Sequence, residues 1–501
     1  MPDYKKLQNG SDIRGVAIAT EGGKPVDLTE EAARAIGGAF AAWLRNRLGN
    51  AAKRVSIGRD SRLSGEQLSA WLAEGLRAAG MDVTDFGLCT TPAMFMSTVL
   101  KGWEFDGAVM ITASHLPFER NGFKFFTSGG GLEKQDIAEI LSCAGTGAFP
   151  QDAACAFARA DFLPAYAAML RQKIQAATGL ERPLCGLKIL VDAGNGAGGF
   201  FADSVLAPLG ADTAGSQFLT PDGRFPNHAP NPENAAAMDS IRAAVLANKA
   251  DFGILFDTDV DRAGAVLADG SELNRNRLIA ILSAILLREH PGTTIVTDSI
   301  TSTGLAAFIA AHGGIHRRFR RGYRNVINEA QRLCAAGQDA QLAIETSGHG
   351  ALQENYFLDD GAYLMVKLLI ELARARQEGR TLEALLADLK EPKESFEFRM
   401  PLQAEAFADY GNGIISALKE YAATQPGWTL AEPNYEGVRV TLAPAYGDGW
   451  FLLRLSLHEP LMPLNIESDR TGGAKQIASA LCGFLARFGQ LDSSSLASFT
   501  G

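Results

Sequence analysis

Two rhythms of apolar and polar positions alternate along this chain. Stretches with apolar residues at helical spacing are interleaved with short β-branched or apolar runs that break into polar loops. Repeated throughout, that alternation predicts α/β units. A capping box of Asp27 and Glu30 predicts a helix running to about Leu48. Ser64 and Gln67 predict the start of the next helix, and Gly80 stands where a C′ glycine would end it. Six runs read as strands that end in loops: RVSIGRDSR (54–62), GAVMITASH (107–115), KILVDAGNG (188–196), DFGILFDTDVDR (251–262), TTIVTDSIT (293–301) and QLAIETSGHG (341–350).

The intervals between these runs differ, which excludes a fixed-period solenoid. They fit three similar α/β domains with mixed sheets, each aiming one strand-end loop at a shared central cleft, because α/β folds place their sites at the carboxyl ends of strands. The expected divisions are 1–160, 161–268, 269–390 and 391–501. The last is a smaller α+β domain beginning near KEPKES (390–395), with antiparallel strands and then a helix over roughly 473–488.

A length of 501 residues is too great for one core, in line with several domains. Apolar residues at 47% and charged residues at 21% are ordinary globular composition. The net charge of −10 argues against a nucleic-acid partner, yet leaves room for an anionic substrate in a locally basic cleft. No apolar run has the length of a membrane span, and MPDYKKLQNGSDIRG carries no apolar signal core. The six cysteines lie far apart without zinc spacing and read as reduced thiols, so a cytoplasmic location is expected.

The acidic triplet Asp257, Asp259 and Asp261 follows the apolar run FGILF. Carboxylates at alternate positions repel unless a cation neutralises them, and a hard divalent ion does this. An EF-hand is excluded, since Arg262 and Ala268 occupy its glycine and glutamate positions. A solvated acidic turn is the other reading. Ser114 and His115 lie after a buried strand, with Lys124 ten residues on. The serine is a nucleophile oriented by His115, or a turn former. No GxSxG elbow surrounds it. Glu345, Ser347 and His349 offer sugar-hydroxyl ligands and a proton shuttle, or else a polar turn. Arg454 and Ser456 share a strand face and suit a phosphate, or belong to a plain surface strand. Arg14 and the basic cluster RRFRRGYRNV (317–326), which includes Arg324, add cationic candidates. VDAGNGAGG has neither a P-loop lysine nor the full GxGxxG spacing.

Taken in order, SDIRG, GRDSRLSG, TTPA, TASHLPFERNGFK, VDAGNGAGG, PDGRFPNHAPNPE, DTDVDR, ETSGHG and RLSLHEP resemble the α-D-phosphohexomutase superfamily over nearly the whole chain. The resemblance implies an intramolecular phosphotransferase of the isomerase class that interconverts hexose 1-phosphate and hexose 6-phosphate, mannose or glucose, with a hexose 1,6-bisphosphate as intermediate and activator. By it Ser114 carries the phosphoryl group, and Asp257, Asp259, Asp261 and the Ser114 phosphate ligate Mg2+. Arg262 holds that phosphate, while Lys124, His349 and Arg14 serve proton transfer and charge stabilisation. Glu345 and Ser347 read the sugar hydroxyls, and Arg454 with Ser456 clamps the distal phosphate, with Arg324 as a further substrate contact. The expected partners are small sugar phosphates, with no nucleic acid and no membrane, and the expected state is a monomer or homodimer.

The chain departs from the family pattern in several places. Leu116 replaces the asparagine of TASHNP, Ile344 replaces the glycine before the glutamate, and Thr258 and Val260 replace the common glycines between the aspartates. Where relatives read RxSGTEP, this chain has Leu457 and His458, the latter a candidate phosphate donor in place of threonine. The alternatives that remain are a phosphoglucosamine mutase, a metal-dependent phosphohydrolase and a non-catalytic sugar-phosphate-binding paralogue.

Overall fold

The structure is a computed structural model that describes residues 3–49, 51–147, 149, 155–456 and 459–501. The chain divides into two compact units, Met1–Ile285 with Ser347–Leu385, and Leu286–Thr346 with Leu386–Gly501.

The first unit opens with a mixed sheet in the order Gln8–Asn9, Asp12–Val16, Arg120–Thr127, Gly107–Ile111, Arg54–Arg59, Asp82–Leu88 and Phe157–Arg159. Gly107–Ile111 is parallel to Arg54–Arg59 and antiparallel to Arg120–Thr127. All five of its residues are buried, as expected of a strand covered on both faces, so the chain leaving Ile111 enters the serine loop from a fixed platform. The helices Glu30–Leu48 and Gly65–Ala78 pack against this sheet through Ile36, Phe40, Leu72 and Leu76, which meet Val55, Ile57, Phe123 and Phe125 in one core.

The helix starts differ in detail from the sequence expectation. The cap of the first is Thr29, whose hydroxyl accepts from the Ala32 N–H at 3.2 Å. Asp27 instead accepts from the Val16 N–H at 2.6 Å. Ser64 does precede the second helix, but its hydroxyl accepts from the Asn121 amide at 2.9 Å and leaves the helix uncapped by a side chain. Gly80 follows that helix with φ +87°, as its position predicts.

A second sheet in this unit runs Glu272–Leu273, Ala263–Leu267, Phe252–Phe256 and Ile189–Asp192. Phe252–Phe256 is parallel to Ile189–Asp192 and antiparallel to Ala263–Leu267, with Phe256 opposite Ala263. That register makes residues 257–262 a tight connection between two antiparallel strands. The hairpin Gly350–Leu352 and Leu358–Asp359 and the helix Gly361–Gln377 complete the unit.

In the second unit, Thr294–Thr297 pairs in parallel with Ile315–Arg318 and with Leu342–Ile344. A five-stranded antiparallel sheet follows in the order Glu394–Pro401, Leu461–Ser468, Gly449–Leu453, Val438–Leu442 and Trp428–Leu430. The helices Phe407–Thr424 and Gly473–Leu485 cover it through Ile414, Leu418, Ile477 and Leu481, so the last segment is α+β as its pattern predicts. No helix among the described residues is long and apolar enough to cross a membrane.

Candidate active site

Ser114 is buried and sits at φ +52°, a left-handed turn that a non-glycine residue adopts only when held there. The hold is visible. The Thr112 hydroxyl accepts from the Ser114 N–H at 2.9 Å and donates to Asp60 Oδ2 at 2.7 Å. Arg62, fully buried beside Asp60, donates to the carbonyls of Ser114 and Leu116 at 2.5 Å, of Pro117 at 2.8 Å and of Arg120 at 2.9 Å. One guanidinium therefore gathers the whole TASHLPFER loop. Burial pushes the Asp60 carboxyl up to about 6 against the attraction of Arg62.

The fold brings the Ser114 hydroxyl to the acidic loop. It lies 3.1 Å from Asp257 Oδ2, 2.8 Å from Arg262 Nη2 and 3.3 Å from His115 Nδ1. Arg262 also donates through Nε to Asp257 Oδ2 at 3.0 Å and through Nη2 to His115 Nδ1 at 2.7 Å. His115 Nδ1 is consequently an acceptor, which requires a neutral ring. Desolvation of that side, with the positive charges of Arg262, Arg14 and His349, holds its pKa down to about 2, although an edge of the ring is exposed. At neutral pH His115 orients Arg262 and Ser114 and carries no charge of its own.

Asp257, Asp259 and Asp261 are all buried, and one oxygen of each lies within 4.8 Å of those of the others. Asp259 Oδ1 and Asp261 Oδ1 have no hydrogen-bond partner. Two dry, unpartnered carboxylate oxygens beside a third carboxylate are costly unless a cation sits among them, and an all-oxygen set of this kind fits a hard divalent ion. Burial and the neighbouring Asp261 and Asp259 charges push Asp257 well above the usual carboxylate range. Burial also opposes ionisation of Asp261, but Lys124, His349 and Arg262 outweigh it and hold that carboxyl low. Lys124 Nζ donates to Asp259 Oδ2 at 2.9 Å and to Asp261 Oδ2.

The acidic loop is fixed from several sides. Thr91, in TTPA, donates its hydroxyl to Asp259 Oδ2 at 2.5 Å and its N–H to the Asp259 carbonyl at 2.9 Å. The glycine run at 191–199 lies against this loop. Gly196 packs so closely that a Cβ would come within 2.7 Å of the Thr258 carbonyl, while the Ala197 N–H donates to that oxygen at 2.8 Å. Asn231, in NHAPN, accepts from Arg262 Nη1 at 3.2 Å. A Cβ on Gly361 would lie 2.6 Å from the Arg262 carbonyl carbon.

His349 forms an isolated bridge with Arg262, and its Nδ1 lies 2.6 Å from Asp359 Oδ2 and 3.9 Å from Asp261 Oδ1. Burial works against its protonation, but these two carboxylates outweigh it and push the pKa up to about 9. Ser347 is buried with an unpartnered hydroxyl. Arg14 pairs with Asp12 at 2.9 Å. Ser114, His115, Lys124, the three aspartates, Arg262 and His349 are thus one connected cluster.

The other expected residues lie in the second unit. Glu345 is buried and accepts from the Gly322 N–H at 2.6 Å. Arg324 is half-buried in the first turn of the helix Tyr323–Ala335. Arg454 is 7% exposed with an unpartnered Nε, and burial together with the charge of Arg321 lowers its pKa. The carboxylates of Glu436 and Glu397 act in the opposite direction. The Ser456 hydroxyl accepts from the Glu459 N–H at 3.3 Å. Within the basic cluster, Arg317 pairs with Glu329 and Arg318 binds the Thr301 and Ser302 carbonyls, which are supporting roles. Leu457 and His458 lie outside the described residues.

Arg62, Asp60, Thr91, Asn231, Asp359 and Arg321 were not singled out individually by the sequence. For the first three the signal was present as the order of GRDSR and TTPA ahead of the serine loop.

A serine bonded to a guanidinium and a carboxylate, beside oxygens that want a cation, narrows the class to phosphoryl transfer on an α/β scaffold. Comparison with known proteins agrees. Family descriptions of phosphoglucomutase/phosphomannomutase α/β/α domains I, II and III match residues 5–151, 164–270 and 274–392. The chain is 32% identical over 471 residues to a phosphomannomutase/phosphoglucomutase of Pseudomonas putida, covering 93% of this chain and 92% of that one. It is 30% identical to a phosphoglucomutase of Neisseria gonorrhoeae, with 93% and 94% covered. The crystal structure of a phosphoglucomutase/phosphomannomutase family protein from Burkholderia thailandensis superposes with a TM-score of 0.78 at 28% identity, over 95% of this chain and 96% of that one. This chain belongs to the phosphoglucomutase/phosphomannomutase family.

Proposed function

We propose that the protein is a phosphohexomutase that interconverts the 1- and 6-phosphates of mannose or glucose through a phosphoserine at Ser114. The observation that carries this reading is the Ser114 hydroxyl held between Asp257 and Arg262, next to two unpartnered buried carboxylate oxygens. Asp257, Asp259 and Asp261 are the residues that would hold Mg2+, which when bound supplies charge neutralisation to the transferring phosphoryl group.

In the forward step the phosphorus–oxygen bond to Ser114 breaks and a new one forms to the free hydroxyl of the hexose monophosphate. The sugar hydroxyl loses a proton and the serine oxygen gains one. His349, kept protonated at neutral pH by the charges of Asp359 and Asp261, is suited to the donor side of that exchange. Arg262 steadies the phosphoryl oxygens, and His115 keeps Arg262 aimed at the serine. The resulting hexose 1,6-bisphosphate turns around and returns its other phosphate to Ser114, which closes the cycle. Arg454, Ser456, Arg324 and Glu345 are the residues we assign to gripping the distal phosphate and the sugar.

The test is a coupled assay with glucose 1-phosphate, mannose 1-phosphate and glucosamine 1-phosphate, primed with glucose 1,6-bisphosphate. Isomer formation from the first two is expected. Intact mass should show one phosphate gained on incubation with the bisphosphate, and none in Ser114→Ala. Turnover of no sugar, or phosphate uptake by Ser114→Ala, would overturn the assignment.

A further inference from the structure

We infer that Thr91 is a specificity-determining residue for the cation, because its hydroxyl, beside Lys124, keeps the second oxygen of Asp259 from an ion that needs both. The inference rests on the metal-loop reading above. Each carboxylate of the loop has its outer oxygen occupied. Asp259 Oδ2 accepts from Thr91 Oγ1 at 2.5 Å and from Lys124 Nζ at 2.9 Å. Asp261 Oδ2 accepts from Lys124 Nζ. Asp257 Oδ1 accepts from the Arg262 N–H at 3.2 Å, and its Oδ2 is shared by Ser114 and Arg262. The oxygens left without a hydrogen bond are one from Asp259 and one from Asp261, both buried.

One-oxygen ligands at a tight site suit a small octahedral ion such as Mg2+. Ca2+ needs six to eight oxygens and takes them by binding carboxylates through both. Asp259 is the carboxylate on which this turns. Its outer oxygen is held by Lys124, which belongs to the reacting cluster and is shared with Asp261, and by the Thr91 hydroxyl, which is neutral and stands outside that cluster. The Thr91 N–H to the Asp259 carbonyl bond, at 2.9 Å, seats the two residues together and does not depend on the Thr91 side chain.

The experiment is calorimetric titration of the full-length protein with MgCl2 and, separately, CaCl2, for wild type, Thr91→Val, Thr91→Ala and Thr91→Ser. Removing the hydroxyl leaves Asp259 Oδ2 held only by Lys124, a donor it shares with Asp261, so a larger ion can draw that oxygen in and the ratio of Ca2+ to Mg2+ dissociation constants should fall by at least about fivefold in Thr91→Val. Thr91→Ala, the smaller change should valine not fold, is expected to move the same way. Thr91→Ser retains the donor and should keep the wild-type ratio, which a purely structural role for the threonine would not require. An unchanged ratio in both hydroxyl-free variants overturns the inference while leaving the metal site intact. Absence of binding by either ion to the wild type overturns the metal reading and this inference with it.

Discussion

Replacing Arg62 with methionine tests how the serine is held in its left-handed turn. The side chain is fully buried and donates to four carbonyls of one loop, so the substitution keeps most of the volume and removes every bond. Hydrogen bonds from a charged donor contribute roughly 1.5–3 kcal/mol each, but those to Leu116, Pro117 and Arg120 lie on a half-exposed stretch where water can replace the donor. The Ser114 carbonyl and the Asp60 carboxylate stay dry. Asp60 loses the main attraction that keeps its raised pKa near 6, so it takes up a proton and limits its own penalty. The expected net cost is about 3–4 kcal/mol, toward the lower end of what breaking a buried charged pair costs.

That cost falls on a local equilibrium. A loss of roughly 3 kcal/mol lowers the population of the ordered loop by about a hundredfold if order and disorder were balanced beforehand, and by less if the loop began deep in its well. Phosphorylation of Ser114 by glucose 1,6-bisphosphate, followed by intact mass, should therefore slow by about tenfold to a hundredfold. Amide exchange over residues 112–120 should accelerate in parallel. Arg62→Lys is expected to fall between, since an ammonium has three donors for four acceptors. Wild-type phosphorylation rates in Arg62→Met, with exchange unchanged across the loop, would refute the argument.

Other consequences follow from the same geometry. Arg454→Ala should raise KM more than it lowers kcat in the coupled assay, because the guanidinium is assigned to binding a phosphate that does not react; unchanged kinetics would remove it from the site. Glu467 is buried, and burial pushes its carboxyl up to about 7 against the Trp450 indole bond and the charges of Arg439 and Arg318. A raised pKa means that its contribution is fully present below about pH 4.5 and is lost as pH rises through about 7, so Glu467→Gln should gain up to about 3 kcal/mol on wild type by pH 8 and nothing near pH 4. Melting curves in which the difference does not grow with pH would contradict this. Val260 is a buried β-branched residue at φ +68°. Val260→Gly relieves about 1–2 kcal/mol of strain, but loses about 1.5–3 kcal/mol of burial and adds the backbone entropy of glycine. The variant should melt lower than wild type, and a stabilised variant would show that strain outweighs packing there.

The acidic triplet was legible in the sequence because its chemistry is local: three carboxylates at alternate positions after FGILF repel one another and invite a cation, and burial, which the sequence alone did not settle, decides against a solvated turn. The strands before each loop were legible for a similar reason, since an all-apolar run followed by polar residues has few other solutions. What depends on distant chain was not. Asp27 has the right spacing for a helix cap, yet its carboxylate is used by Val16, eleven residues earlier, and the cap passes to Thr29. Arg62 reads as one more polar loop residue, because its acceptors come 52 to 58 residues later. His115 reads as a residue that orients or activates the serine, and only its burial and the enclosing cations show that it stays neutral.

Within the first unit, the motifs that contribute no reacting group converge on one short segment. Thr91 from TTPA, Gly196 and Ala197 from VDAGNGAGG, Asn231 from PNHAPN and Gly361 after the final hairpin all touch residues 257–262 or the side chain of Arg262. The reason is electrostatic. A six-residue connection holding three buried carboxylates would spring open before a cation arrived unless it were pinned, and each contact satisfies a backbone group, excludes a Cβ or, at Asn231, holds the Arg262 side chain, without adding charge. The common glycines between the aspartates give such a loop its freedom at no steric cost. Here Thr258 and Val260 stand in their place, so the loop starts stiffer and Val260 is held in a left-handed conformation it would not choose alone. The surrounding pins therefore carry more of the task in this chain than they would around a glycine-bearing loop, and removing one should loosen the carboxylates more than it would there.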